Sequence, residues 1–225
     1  LSDWSSDVCS SDRVGPLMAY FQKSWDDWDF LAGATMAGHL LECGAQVTGG
    51  YFADPGYKDV PHLSNVGFPI VEFGSHGIIC VTKPEGTGGV VNRLTVTEQL
   101  LYELHDPASY LTPDVIADIT HATIRDLGDN RVELIGVKGH PKPDSLKANI
   151  CIDGGWLAEA EISYAGHHAL ERAQLAAQII RDRIGKDLTL RVDFIGSSSI
   201  FMSDAGEGPA VKSTKTYEDI RLRVA

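Results

Sequence analysis

Apolar positions along this chain recur at two periods, and the changes between them mark its elements. From Trp25 to Cys43 the pattern predicts one helix. Asp26, Asp27 and Asp29 fall near its N-terminus, where carboxylates suit the helix dipole, and Gly44 follows as a C-cap would. Gly33 and Gly38 inside it point to close packing of another backbone. Ala45–Gly67, rich in Gly, Pro, Asp and aromatic residues, shows neither period and reads as a long irregular loop. Phe68–Phe73 and Ile78–Thr82, joined by Gly74-Ser75-His76-Gly77, predict a hairpin. Lys83-Pro84-Glu85-Gly86-Thr87-Gly88-Gly89 cannot extend its second strand, because Pro lacks a ladder donor and glycine favours tight turns. Thr95-Val96-Thr97-Glu98 then has capping-box spacing, and Leu100, Leu101 and Leu104 supply the apolar face of a helix over Leu94–His105.

Beyond that helix the period shortens to two. Val115–Arg125, Arg131–Lys138, Ser145–Cys151 and Trp156–Tyr164 read as strands, with Asp129-Asn130 and Asp153-Gly154-Gly155 as turns. Leu170, Ala173, Ala177, Ile180 and Ile184 give a long helix over His167–Ile184, closed by Gly185, and Leu188–Gly196 is one more strand. Strand runs followed by a long helix imply an α+β fold, of α/β class overall. The expected form is a mainly antiparallel sheet with that helix lying across one face. Residues 111–225 form this portion, 13–110 carry the glycine-rich loop, and the two are expected to pack as one unit.

Composition narrows the function classes. The chain has 225 residues, 43% of them hydrophobic, and a formal net charge of −12. Such a chain can bury a substantial core, and an acidic surface without a basic run gives no reason to expect nucleic acid or an anionic membrane as partner. No apolar run approaches the ~20 residues that span a bilayer. Cys43, Cys80 and Cys151 are isolated, which fits a reducing cytoplasm better than a disulfide framework. Leu1–Asp12 is Ser/Asp-rich and aperiodic, resembles translated sequencing adapter, and stands apart from the fold.

Three groups of residues carry candidate chemistry. Lys83, Glu85, Gly86, Thr87, Gly88 and Gly89 could cradle an anion, the glycines admitting it to backbone N–H groups and Lys83 adding charge; the same residues could equally form a structural turn. His39 and Glu42 share a helical face, as a base with its orienter, as metal ligands, or as a buried pair serving only packing. Cys43, at a helix C-terminus, has its thiol pKa raised rather than lowered. Glu103, His105 and Asp106 lie at the far end of the helix opened by the glycine loop, ~15 Å from it by helical rise. His62, Lys58 and Asp59 sit in the irregular loop, and His167-His168 opens the last helix. No metal-ligand spacing emerges.

Four blocks give a family resemblance. Gly38-His39-Leu40-Leu41-Glu42-Cys43-Gly44-Ala45-Gln46-Val47-Thr48-Gly49-Gly50-Tyr51-Phe52 is similar to a signature block of the acyclic terpene utilisation AtuA family (the DUF1446 type). So are Thr82–Gly89, Glu98–Pro107 and Glu161–Gly166, in family order. The resemblance implies a place in the catabolism of branched acyclic terpenoids of the citronellol and geraniol type. A CoA-linked or carboxylated branched-chain intermediate would be the ligand. By their positions, Lys83 and the Thr87-Gly88-Gly89 amides would bind its anionic group, with His39, Glu42 or the Ala45–Gly67 loop nearer the chemistry, while Glu103 and His105 are catalytic candidates only for a long substrate. The resemblance implies no particular reaction. The alternative is a non-catalytic scaffold or subunit, assembling with itself or with another pathway protein. Family members also carry an α/β segment ahead of this chain's start, so residues 13–110 read as the remnant of such a domain and the whole as a fragment.

Overall fold

The first elements among the described residues are two helices, α1 (Val14–Phe21) and α2 (Trp28–Glu42). The computed structural model describes residues 13–146, 148, 150–184, 188–197, 199 and 217–225; the tail Leu1–Asp12 lies outside them. The chain divides into two units, 1–149 and 150–225.

Every residue of α2 from Phe30 to Leu40 is buried, as expected of a helix that is apolar or small on all sides. Its N-cap is Asp27, whose carboxylate accepts from the Phe30 amide at 3.3 Å. Asp29 does more than meet the dipole: it accepts from Lys138 Nζ at 2.8 Å and from the Gly139 amide at 2.9 Å. Gly33 permits the close approach its sequence position suggests, since a Cβ there would lie 3.3 Å from the Gly77 carbonyl oxygen.

Two antiparallel sheets flank this helix. The first runs β1-β2-β6-β5, from β1 (Ile70–Phe73), β2 (Ile79–Thr82), β5 (Thr123–Gly128) and β6 (Arg131–Ile135). The second runs β3-β4-β7, from β3 (Tyr110–Leu111), β4 (Val115–Asp118) and β7 (Lys138–Pro141). Ile79, Val81, Val132 and Leu134 of the first sheet, and Val115 and Ala117 of the second, enter one core with Leu31, Met36 and Leu40 of α2. The expected hairpin is present as β1 and β2. Asp129 and Asn130 join β5 to β6 with φ of 49° and 57°, the left-handed pair that a two-residue hairpin turn requires.

Helix α3 (Arg93–Leu101) starts and stops differently from the sequence expectation. Its capping box is Asn92 with Thr95, not Thr95 with Glu98. It ends at Leu101, so Glu103 and His105 lie beyond its last turn, and the apolar position Leu104 does not prolong it.

The second unit holds β8 (Ala160–Ala165), α4 (Ala169–Ile184), β9 (Val192–Ile195) and β10 (Asp219–Val224), its strands ordered β8-β10-β9 and all antiparallel. Ala169, Ala173 and Ala177 pack with Val192, Ile220 and Leu222. Asp193, 2% exposed, is held by Arg191 Nε at 3.1 Å and Arg223 Nη1 at 3.5 Å, and Arg223 also bonds Glu159.

The architecture is therefore α+β with antiparallel sheets. The mainly antiparallel sheet expected over Val115–Tyr164 is antiparallel, but its strands are divided among three sheets. Ser145, Leu146, Ala148, Ile150 and Cys151 lie in no strand, while Lys147 and Asn149 are outside the described residues. Trp156–Glu159 also precede the strand that was expected to include them. Alternation alone marks a chain able to pair; it does not supply the neighbouring edge.

Candidate functional site

Two helices bring the site together: the C-terminal half of α2 and the end of α3. His39 is 3% exposed, and its ring centroid stands 5.4 Å from that of Tyr110. Neither ring nitrogen makes a well-formed hydrogen bond among the described residues, although the carbonyls of Leu100 and Gln99 lie close enough to act on the ring. Burial pushes the imidazole below its ordinary pKa, while the nearby carbonyls of Leu100 and Gln99 and the charge of Glu103 pull the other way. The result is a neutral imidazole with one N–H and one lone pair to offer.

Gln99 lies against it, fully buried, and its Nε2 donates to the His39 carbonyl at 2.9 Å. Its Oε1 has no partner among the described residues, and neither has the hydroxyl of Thr35, one turn before His39 on the same face of α2. At the C-cap of α2, burial raises the Cys43 thiol; the Gln99 side chain opposes this, and Glu42 and Glu103 add to it. That environment disfavours a thiolate, as the position at a helix C-terminus anticipates. Glu103 is exposed with φ of 56°, a left-handed conformation uncommon outside glycine. It also raises the Tyr102 phenol, on which Cys43 and Tyr51 act in the same direction.

The structure thus joins residues that the sequence placed in separate clusters. His39 and Glu103 share one electrostatic neighbourhood with Cys43. Glu42 acts on Cys43, but it does not hydrogen-bond the His39 ring, so the pairing of base and orienter is not formed between them. His105 is exposed on the turn that follows. Sequence reading missed Gln99 and Thr35, although a signal was there. Gln99 falls in phase with Val96 and Leu100, on the face of α3 that is buried.

The glycine loop is built differently from an anion cradle. The Gly88 amide donates to the Asn65 carbonyl and the Gly89 amide to the Pro61 carbonyl, each at 2.7 Å. Gly67 N–H returns a bond to the Gly88 carbonyl at 3.2 Å. A Cβ on Gly88 would sit 1.9 Å from the His62 carbonyl oxygen, so glycine there admits the irregular loop rather than a ligand. Lys83 Nζ donates to the Thr87 carbonyl at 2.7 Å, and the Thr87 hydroxyl to the Pro84 carbonyl at 2.7 Å. The expectation that the Gly88 and Gly89 amides meet an anion is corrected: carbonyls already occupy them. Gly86 and Glu85 are exposed at the turn.

A consequence for stability follows from His39. Its folded pKa lies below the unfolded one, so the neutral ring's contribution is complete above the ordinary imidazole value of about 6.5. As pH falls from there, the unfolded chain takes up a proton that the folded chain resists, and stability is lost. Urea midpoints at about pH 7.5 and about pH 5 should differ more for the wild type than for His39→Leu. Equal differences would show that His39 is not the group responsible.

Among the described residues, no group of three or more His, Cys, Asp or Glu side chains is placed to hold a metal ion. Among them, too, no helix is long and apolar enough to cross a membrane. No curated protein and no solved structure matches the chain. Residues 8–225 match the family model described as acyclic terpene utilisation family protein AtuA.

Proposed function

The chain belongs to the acyclic terpene utilisation AtuA family, and we propose that it acts on a CoA-linked or carboxylated branched-chain intermediate, with His39 as the group that exchanges a proton. The observation that carries this reading is a buried imidazole, held toward its neutral form, with neither nitrogen in a well-formed hydrogen bond among the described residues and with the charge of Glu103 acting on it. Buried titratable groups with perturbed pKa values gather at functional sites, and a neutral imidazole can both donate and accept. Lys83 is the cation of the glycine loop and would meet an anionic end of the ligand, because the Gly88 and Gly89 amides are taken.

One observation favours a second reading, a non-catalytic subunit assembling with another copy or another pathway protein. The glycine loop is satisfied within the chain and holds Pro61–Gly67 in place, as a purely structural turn would. Titration with isovaleryl-CoA and with isovalerate, read by calorimetry, separates the two. Saturable binding that His39→Leu weakens while the protein stays folded is expected. Absence of binding by both ligands overturns the enzyme reading and leaves the subunit reading.

A further inference from the structure

The Gln99 side chain has its orientation fixed from within the fold. Its Nε2 donates to the His39 carbonyl at 2.9 Å, and the reversed amide would set two oxygens against each other. Oε1 is therefore an acceptor of known identity, fully buried and without a partner among the described residues. Beside it the His39 ring faces the backbone carbonyls of Leu100 and Gln99, with neither nitrogen in a well-formed hydrogen bond among the described residues. The Thr35 hydroxyl, 0% exposed and likewise unpartnered, continues the same face of α2 one turn earlier. Interiors pair the large majority of such groups. Three such groups, on two touching helices, are without a well-formed partner among the described residues.

We propose that this face of α2 and α3 binds a hydroxyl group of the ligand, which donates to Gln99 Oε1 and accepts from the Thr35 hydroxyl. The proposal rests on the functional reading above only for its branched probe. A carboxylate brings acceptors alone: it could meet the donor on Thr35, but it would face the Gln99 oxygen with like partial charge. An alkyl group would leave both Gln99 Oε1 and the Thr35 hydroxyl unpaired. A hydroxyl satisfies both sides at once.

The test titrates isobutanol and isobutyrate into the full chain while following the ring nitrogen NMR signals of His39 near pH 7.5. Isobutanol is expected to shift them saturably and isobutyrate to leave them almost unmoved. Thr35→Val, which keeps side-chain shape, is expected to weaken the alcohol about tenfold, the size of one hydrogen bond. Gln99→Met should abolish the shift in protein that still melts cooperatively; if that variant fails to fold, Thr35→Val decides. The proposal is overturned if isobutanol gives no saturable shift, if isobutyrate binds as well, or if Thr35→Val binds unchanged. Isovaleryl-CoA binding is a separate readout. Its loss with alcohol binding intact would sink the functional reading and leave this site standing, and the converse holds.

Discussion

Gly88→Val is expected to lower the melting temperature by roughly 6–12 °C, or to prevent folding altogether. The reason lies in backbone that cannot move aside. A Cβ at residue 88 would stand 1.9 Å from the His62 carbonyl oxygen and 2.6 Å from its carbon. To relieve that contact the chain must give up the Gly88-to-Asn65 and Gly89-to-Pro61 bonds, which tie the irregular loop to the core. The loss should be on the order of 3 kcal/mol, within the range of the larger single-site effects, and in a chain of this size each kcal/mol moves the midpoint about 2–4 °C. Lys83→Ala, which removes one bond to the Thr87 carbonyl, should cost no more than about 1–2 kcal/mol. Thermal melts of the two variants side by side check this. A Gly88→Val midpoint within a degree or two of wild type would mean that residues 62 and 88 are not in contact.

Gly139→Ala should be comparably severe, for a similar reason at a different place. Strand β7 crosses the first turn of α2 so closely that a Cβ on Gly139 would meet the Trp28 carbonyl oxygen at 1.8 Å and its carbon at 2.3 Å. Even a methyl group must separate the strand from the helix. Separation breaks the Gly139-to-Asp29 bond at 2.9 Å and loosens the second sheet from its core. A loss of about 3 kcal/mol or more is expected, read as a lower urea midpoint at unchanged slope. Lys138→Ala, which removes only the exposed ion pair to Asp29, should shift the midpoint little. Equal effects from the two substitutions would show that charge, not close approach, joins β7 to α2.

Local signals carried the elements, and packing decided how they combine. Helix α2, although it starts at Trp28 rather than at Trp25, the β1–β2 hairpin and the Asp129-Asn130 turn were legible because each is specified by neighbours in sequence: carboxylates at a helix start, alternation, a pair of residues tolerant of positive φ. The start of α3 was misread because Asn92 and Thr95 form the same box three residues earlier, and either spacing satisfies the pattern. The pairing of β6 with β2, rather than with a strand of a continuing meander, depends on which edge lies open after collapse. The site shows the same division. His39, Glu42 and Glu103 could be picked out as residue types. That His39 meets Gln99, sixty positions away, and not Glu42, one turn away, follows from how α2 and α3 cross. Glycine in the loop signalled close approach correctly. It could not say whether an anion or the carbonyl of His62 makes that approach.

The two sheets of the first unit are interleaved along the chain: β1 and β2, then β3 and β4, then β5 and β6 back in the first sheet, then β7 back in the second. During synthesis, β2 waits for its inner neighbour until residues 131–135 emerge, and β4 waits until 138–141. Both sheets close within a few residues of one another, long after α2 has left the ribosome. A helix whose residues Phe30–Leu40 all require cover is thus made before either sheet and enclosed only when both have closed. The nascent chain must carry it through some hundred residues of elongation with neither sheet complete.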